Sequence, residues 1–338
     1  MKKLMSVLLA AALLLSVLSA CSGGKNNTSE QPPADEPVQE VLPDLMVMSG
    51  PTGVGAAKLM ADNENAAEAD KVLASATVAA DNEAVKNALI NGDADIAAVA
   101  TNMAATLANK TNGAIQVLAI NTLGVLYILE KGESVQTMAD LAGKTLYATG
   151  QGANPEYILN YLLQESGVDP AQVDIRWMTA QEVIANMTTA ENAVCMLPVP
   201  AATTVMMKDA GIRQAISLSE VWEQVGGGAL AQGCIVARTE YVEQNPNAVA
   251  AFLAAYEASI QYMNDEASRA DAAALVAQYE ITANDKIAAK AIPQCNLTFI
   301  TGVEMKDLLV SFYDVMFKAD PASIGGAMPA DSFYYGVE

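Results

Sequence analysis

Histidine occurs nowhere in the 338 residues. Its absence removes the usual general base near neutral pH and the commonest metal ligand together, which weighs against an enzyme. Basic residues are scarce as well: 18 Lys and Arg stand against 39 Asp and Glu, a net charge of -21. Nucleic acid is therefore a poor partner, because gripping phosphates needs a basic stripe. An acidic surface means a soluble, self-repelling chain, expected to be a monomer, and does not by itself imply a cationic ligand. Cysteine is sparse: beyond Cys21 there are Cys195, Cys234 and Cys295, an odd set that permits at most one disulfide, and no pair has metal-ligand spacing. Cys195 and Cys234 sit in apolar, strand-like runs and read as small buried hydrophobes. Past the N-terminal stretch no apolar run approaches the roughly 18 residues that suggest a membrane span. No serine elbow, metal-ligand helix motif or kinase set is found, and no cofactor or metal is expected.

What the chain does have begins at its start. Lys2 and Lys3 precede an apolar stretch from Leu4 to Val17, which ends in Leu18, Ser19, Ala20 and Cys21. This resembles a bacterial lipoprotein signal. A spanning helix would need polar flanks on both sides, whereas this run stops at a cysteine followed by Ser22, Gly23 and Gly24. The resemblance implies a signal peptide over residues 1–20 and a Cys21 carrying acyl chains. The protein would then be extracytoplasmic and lipid-anchored to the cell membrane, with more than one chain making the anchor durable. Residues 21–43, rich in Gly, Asn, Ser, Gln, Glu and Pro, read as a disordered spacer.

From Asp44 onward, short apolar runs alternate with helical patterns. That alternation predicts an α/β fold with two lobes, each a mostly parallel sheet flanked by helices. Strands are expected at Leu45 to Ser49, Val72 to Ala79, Ala94 to Ala100 and Ile115 to Ile120, with helices between them. The pattern restarts with strands at Thr145 to Thr149, Val173 to Trp177 and Ala193 to Leu197. Gly124 to Lys131 and Ala229 to Arg238 bracket that second set and read as paired crossovers. Lobe I is thus expected over 44–125 plus 229–338, and lobe II, with crossover segments, over 126–228. A weak internal echo supports the division, since Gly92 to Ala97 and Glu191 to Met196 each lead from a helix into a strand.

In such sheets ligands sit beyond the carboxyl ends of strands, where helix starts present unpaired N–H groups. The loops to inspect are Ser49, Gly50, Pro51, Thr52 and Gly53; Thr101 and Asn102; Gly150, Gln151, Gly152 and Asn154; and Pro198 with Val199. Thr52, Thr101 and Asn154 read as helix caps. Caps and turns occur in every α/β protein, so each loop has a purely structural reading too. None carries Lys, Arg, Asp or Glu, so recognition would rest on neutral hydrogen bonds and helix dipoles. Trp177, at a strand end, is expected either as an aromatic wall or in the core. The Gly150 to Pro155 stretch is no dinucleotide loop, because Pro155 stands where a glycine belongs. Gly143, Lys144 and Thr145 are no phosphate loop, since Met138 takes the first glycine position and a strand follows.

These residues together resemble the substrate-binding lipoproteins of ABC importers, specifically the nitrate, sulfonate, taurine and thiamine-precursor group. The likeness rests on the leader, on Gly92 to Ala97, and on Leu141 to Thr145 followed by Gly150, Gln151, Gly152 and Asn154. It continues through Leu162, Leu163, Gly167, Val168 and Asp169, then Leu197, Pro198, Pro200, and Asn245 with Pro246. It implies a type II periplasmic-binding-protein-like fold with two crossover strands, and hinge closure over a solute delivered to an ABC permease. Val199 stands where many members carry an acidic residue, so a carboxylate contact to a cation is not implied. A fungal branch that makes a thiamine pyrimidine uses a histidine and a cysteine-rich motif, both missing here. The solute is expected to be either a small anion or sulfonate, or a neutral heteroaromatic nutrient. Rival readings are a module presenting its ligand to a membrane sensor and, with less support, an extracytoplasmic enzyme.

Overall fold

The computed structural model describes residues 40–79, 81–226 and 228–337. The expected leader, the lipidation site Cys21 and the spacer as far as residue 39 lie outside the described residues. The spacer expected through Pro43 ends sooner. The Glu40 carboxylate accepts from the amides of Asn247 (3.2 Å) and Ala248 (2.6 Å), and the Tyr241 hydroxyl donates to the Val41 carbonyl at 2.6 Å.

The chain runs through β1 (Asp44–Met48), α1 (Pro51–Asn65), β2 (Ser75–Ala79), α2 (Asn82–Asn91), β3 (Ile96–Ala100), α3 (Thr101–Lys110) and β4 (Ile115–Thr122). It continues with β5 (Leu126–Lys131), β6 (Thr145–Ala148), α4 (Asn154–Glu165), β7 (Asp174–Trp177), α5 (Ala180–Thr189), β8 (Ala193–Pro198), α6 (Ala201–Lys208), β9 (Ile212–Ser217) and α7 (Leu218–Gln224). It closes with β10 (Gly233–Arg238), α8 (Thr239–Gln244), α9 (Pro246–Asn264), α10 (Arg269–Gln278), α11 (Asp285–Ala291), β11 (Leu297–Ile300) and α12 (Gly302–Ala319). Local chemistry sets many of these boundaries. Asp81 caps α2 by accepting from the Ala84 amide at 2.9 Å, and Gly92 stops that helix in the left-handed region at φ 81°. Thr179 and Glu182 form a reciprocal capping box at the start of α5.

The strands form two sheets, one ordered β11-β4-β10-β3-β1-β2 and the other β7-β6-β8-β5-β9. The two α/β lobes expected from the sequence are present, and each sheet is mixed. β1 pairs in parallel with β2 and β3, as β6 does with β7 and β8, because helices carry the chain back between them. The crossover strands supply the antiparallel part. β10 inserts between β3 and β4 and runs against both, and β5 lies against β8 and β9 in the same way. Central strands such as β3 and β10 are buried on both faces, which is why they read as unbroken apolar runs, while the edge strand β7 is half exposed.

The lobes share packing. Trp222 of α7 is fully buried, its ring 5.2 Å from Tyr161 of α4 and 5.6 Å from Phe312 of α12. Cys195, Cys234 and Cys295 are all free and buried, and burial pushes their thiols up, so they act as apolar filling. Among the described residues no helix is long and apolar enough to cross a membrane.

Candidate ligand cavity between the lobes

A cavity of about 210 Å³ lies where the sheets meet. The β1–α1 turn supplies one wall through Met48, Ser49, Gly50, Pro51 and Thr52, joined by Asn82 at the start of α2 and Ala100 at the end of β3. The facing wall comes from Thr149, Gly150, Ala153, Asn154 and Pro155, with Pro198 at the end of β8. The crossovers close the space through Thr122, Val125, Leu126, Gln232 and Gly233. Among the described residues, none that lines it is charged.

Seven of the residues singled out in the sequence meet here: Ser49, Gly50, Pro51, Thr52, Gly150, Asn154 and Pro198. The others do not line the space. Gly53 is buried in α1, where a side chain would run into the Met48 carbonyl. Val199 is fully buried in the core behind Pro198. Gln151 is exposed, and the amide of exposed Gly152 donates to Glu156 at 2.6 Å. Trp177 sits on β7, the outer edge of its sheet, half-buried against the core, so the aromatic-wall reading gives way to the core one. The expected caps shift by one or two residues: the residues preceding α1, α3 and α4 are Gly50, Ala100 and Ala153, and none provides a side-chain cap.

Thr101 and Asn102 serve instead to join the lobes. The Asn154 amide N–H donates to Asn102 Oδ1 at 3.1 Å, and the Asn102 amide N–H donates back to Asn154 Oδ1 at 3.3 Å. Asn154 Nδ2 donates to Thr101 Oγ1 at 2.9 Å and to the Gln232 carbonyl at 3.0 Å. The Thr101 hydroxyl donates onward to the Ala231 carbonyl at 2.8 Å, and its own carbonyl accepts from Tyr313 at 2.8 Å. All three side chains are at least nine-tenths buried. The starts of α3 and α4 therefore satisfy each other. The start of α1 is different. No side chain caps it, and the first N–H groups of a helix lack intrahelical partners.

Polar atoms on the wall are unevenly satisfied. Gln232 Oε1 accepts from the Val125 amide at 2.6 Å, fixing the two crossovers to each other. Thr122 is 2% exposed, and its Oγ1 has no hydrogen-bond partner in the protein; Asn82 Oδ1 has none either. Behind Gly233, Asn121 Nδ2 donates to the Tyr256 hydroxyl at 3.0 Å, which donates to the Thr52 carbonyl at 3.3 Å. That chain fixes the Asn121 amide and leaves its Oδ1 unpaired. Gly233 permits the convergence: a Cβ there would lie 2.8 Å from Asn121 Oδ1 and 2.9 Å from both Thr122 Cβ and Thr52 Cγ2. Sequence reasoning missed Thr122, Gln232 and Gly233. Their signal was a polar residue and a glycine interrupting otherwise apolar strand runs.

An ABC transporter structure from Parabacteroides distasonis is 22% identical, with a TM-score of 0.72 over 87% of this chain and 98% of that one. The periplasmic aliphatic sulphonate binding protein of Escherichia coli is 15% identical, with a TM-score of 0.67 over 83% and 92%. The periplasmic nitrate-binding protein of Synechocystis is 15% identical, with a TM-score of 0.56 over 75% and 69%. These likenesses carry the fold, a type II periplasmic-binding-protein architecture. No curated protein matches the sequence. The family described as NMT1/THI5 like matches residues 73–270, more than half of the chain, and this protein belongs to that family.

Proposed function

We propose that this protein is an extracytoplasmic, lipid-anchored solute-binding protein that captures a small molecule between its lobes and delivers it to an ABC permease. The observation that carries the reading is the uncharged cavity of about 210 Å³ between the lobes, bordered by the uncapped start of α1. Such a space suits a small solute held by a few hydrogen bonds. Catalysis is no part of the proposal: the lining offers no acid, base or thiol nucleophile. The family and the folds it resembles support a binding role, and the leader supports the anchor. Residues 44–125 with 229–338, and 126–228, are the proposed lobes.

A thermal-shift screen of anions, sulfonates, vitamin precursors and amino acids tests the proposal. A ligand at one hundred times its Kd stabilises the native state by about 2.7 kcal/mol, a measurable rise in Tm. Ser49→Trp, at an exposed position on the cavity wall, should abolish the shift. A panel without a hit, or a hit indifferent to that substitution, defeats the proposal.

A further inference from the structure

We infer that Tyr256 and Ser259 of α9 are positioning residues for the cavity: their hydroxyls, set against the main chain of α1, fix where the start of that helix stands in the wall. The inference rests on the solute-binding reading and adds to it two residues that lie behind the lining. Tyr256 is fully enclosed and Ser259 is 1% exposed, and a spacing of three residues puts both on one face of α9. The Tyr256 hydroxyl donates to the Thr52 carbonyl at 3.3 Å and accepts from Asn121 Nδ2 at 3.0 Å. Thr52 lines the cavity, and so does Thr122, the chain neighbour of Asn121, so one hydroxyl ties the α1 start to the end of β4. One turn further along α9, the Ser259 hydroxyl donates to the Gly55 carbonyl at 2.7 Å and accepts from the Leu59 amide at 3.1 Å. Gly55 and Leu59 are four residues apart and supply the carbonyl and amide that bond each other in a regular helix. Here a hydroxyl from the neighbouring helix bridges them. Gly55 permits the approach, since a Cβ there would lie 2.7 Å from Ile260 Cδ1 and 3.3 Å from the Tyr256 hydroxyl.

Apolar contact between two helices is non-directional and leaves their axial register loose, whereas hydrogen bonds to main-chain atoms are directional and set it. The axial position of α1 matters because Pro51, at its first turn, carries no N–H, so the first donors it offers are those of Thr52 and Gly53. Of the starts of α1, α3 and α4, the latter two are spent on each other through Asn102 and Asn154. The placing of α1 therefore decides which main-chain donors a solute meets.

The test is calorimetry on the full chain well below its Tm, with nitrate, methanesulfonate, taurine, nicotinamide and alanine as probes, and Tm measured alongside without them. Ser259→Ala should leave Tm nearly unchanged, because the Gly55 carbonyl and Leu59 amide it releases can bond each other within α1. Affinity for any probe that binds the unsubstituted chain should nevertheless fall about three- to tenfold, up to the worth of one hydrogen bond. Tyr256→Phe should lower Tm and affinity together, since it strands the Thr52 carbonyl and the Asn121 amide in the core. Val183→Ala, buried in α5 and no part of the cavity lining, is the counterpart: Tm should fall and affinity hold, because well below Tm nearly every molecule is still folded. Unchanged affinity in Ser259→Ala or Tyr256→Phe, or an equal fall in Val183→Ala, overturns the inference while leaving a solute-binding role intact. Silence from every probe overturns both.

Discussion

Asn154→Ala should loosen the two lobes, and the expected size follows from the bonds it removes. The side chain accepts from the Asn102 amide and donates to Thr101 Oγ1 and the Gln232 carbonyl, three bonds between groups at least nine-tenths buried. Separation of the lobes would hydrate these groups, so only the net value of each bond counts, about 0.5–1.5 kcal/mol. Their loss should cost the joined arrangement about 2–4 kcal/mol, a roughly 30- to 1,000-fold shift toward separation. Small-angle scattering should then report a larger radius of gyration, and Trp222, packed between Tyr161 and Phe312, should shift its emission. Ligand affinity should fall in proportion to the joined fraction. Asn102→Ala supplies the partner for a double-mutant cycle, with an expected coupling of about 1–2 kcal/mol. Unchanged scattering in Asn154→Ala, or strict additivity in the cycle, would refute the clasp. Ser49→Trp provides the contrast, since it should abolish binding while leaving scattering unchanged.

Glu130 of β5 is buried, accepting from the Ser134 hydroxyl (2.7 Å), the amides of Ser134 (2.8 Å) and Val135 (3.0 Å), and Arg213 (2.6 Å). Burial alone would raise its pKa, but these bonds and the Arg213 charge outweigh burial and hold it below the ordinary value. A lowered folded-state pKa stabilises fully above the ordinary glutamate value of about 4.3 and is lost as pH falls through the folded pKa. Glu130→Gln should thus cost roughly 2–3 kcal/mol in urea unfolding at pH 7, with the deficit shrinking in acid; a deficit independent of pH contradicts this. Gly150→Ala should cost about 2–4 kcal/mol, because φ is +88° and a Cβ would meet Pro155 Cγ at 2.5 Å; a loss below about 0.5 kcal/mol in the same assay would contradict it.

Much of the architecture was legible because local signals were strong. The helix from Asn82 to Asn91 is bounded by Asp81 and Gly92, a cap and a left-handed stop that act within a few residues of themselves. The elements missed are β9, α7, α8 and β11; α7 does carry a cap at Ser217, but it is only seven residues long and α8 only six. Ile212–Ser217 mixes Arg and Gln among its apolar residues because it is a half-exposed edge strand, and Leu297–Ile300 is only four residues long. The direction of β5 and β10 was not readable at all. Each inserts beside strands distant in sequence, so its orientation is decided by tertiary pairing after the crossovers form.

The site divides along the same line, between what a segment specifies alone and what depends on its neighbour across the cleft. Glycine and proline at Gly50, Pro51, Gly150 and Pro155 mark where backbone turns into a helix, and all four line the cavity. Whether a helix start remains available to a ligand is a different question, settled by which side chain faces it. Thr101, Asn102 and Asn154 looked equivalent to Thr52 from their positions, yet the first three are spent on one another, while α1 meets no such partner. Which helix starts stay open to a solute follows from that pairing rather than from the loops' composition.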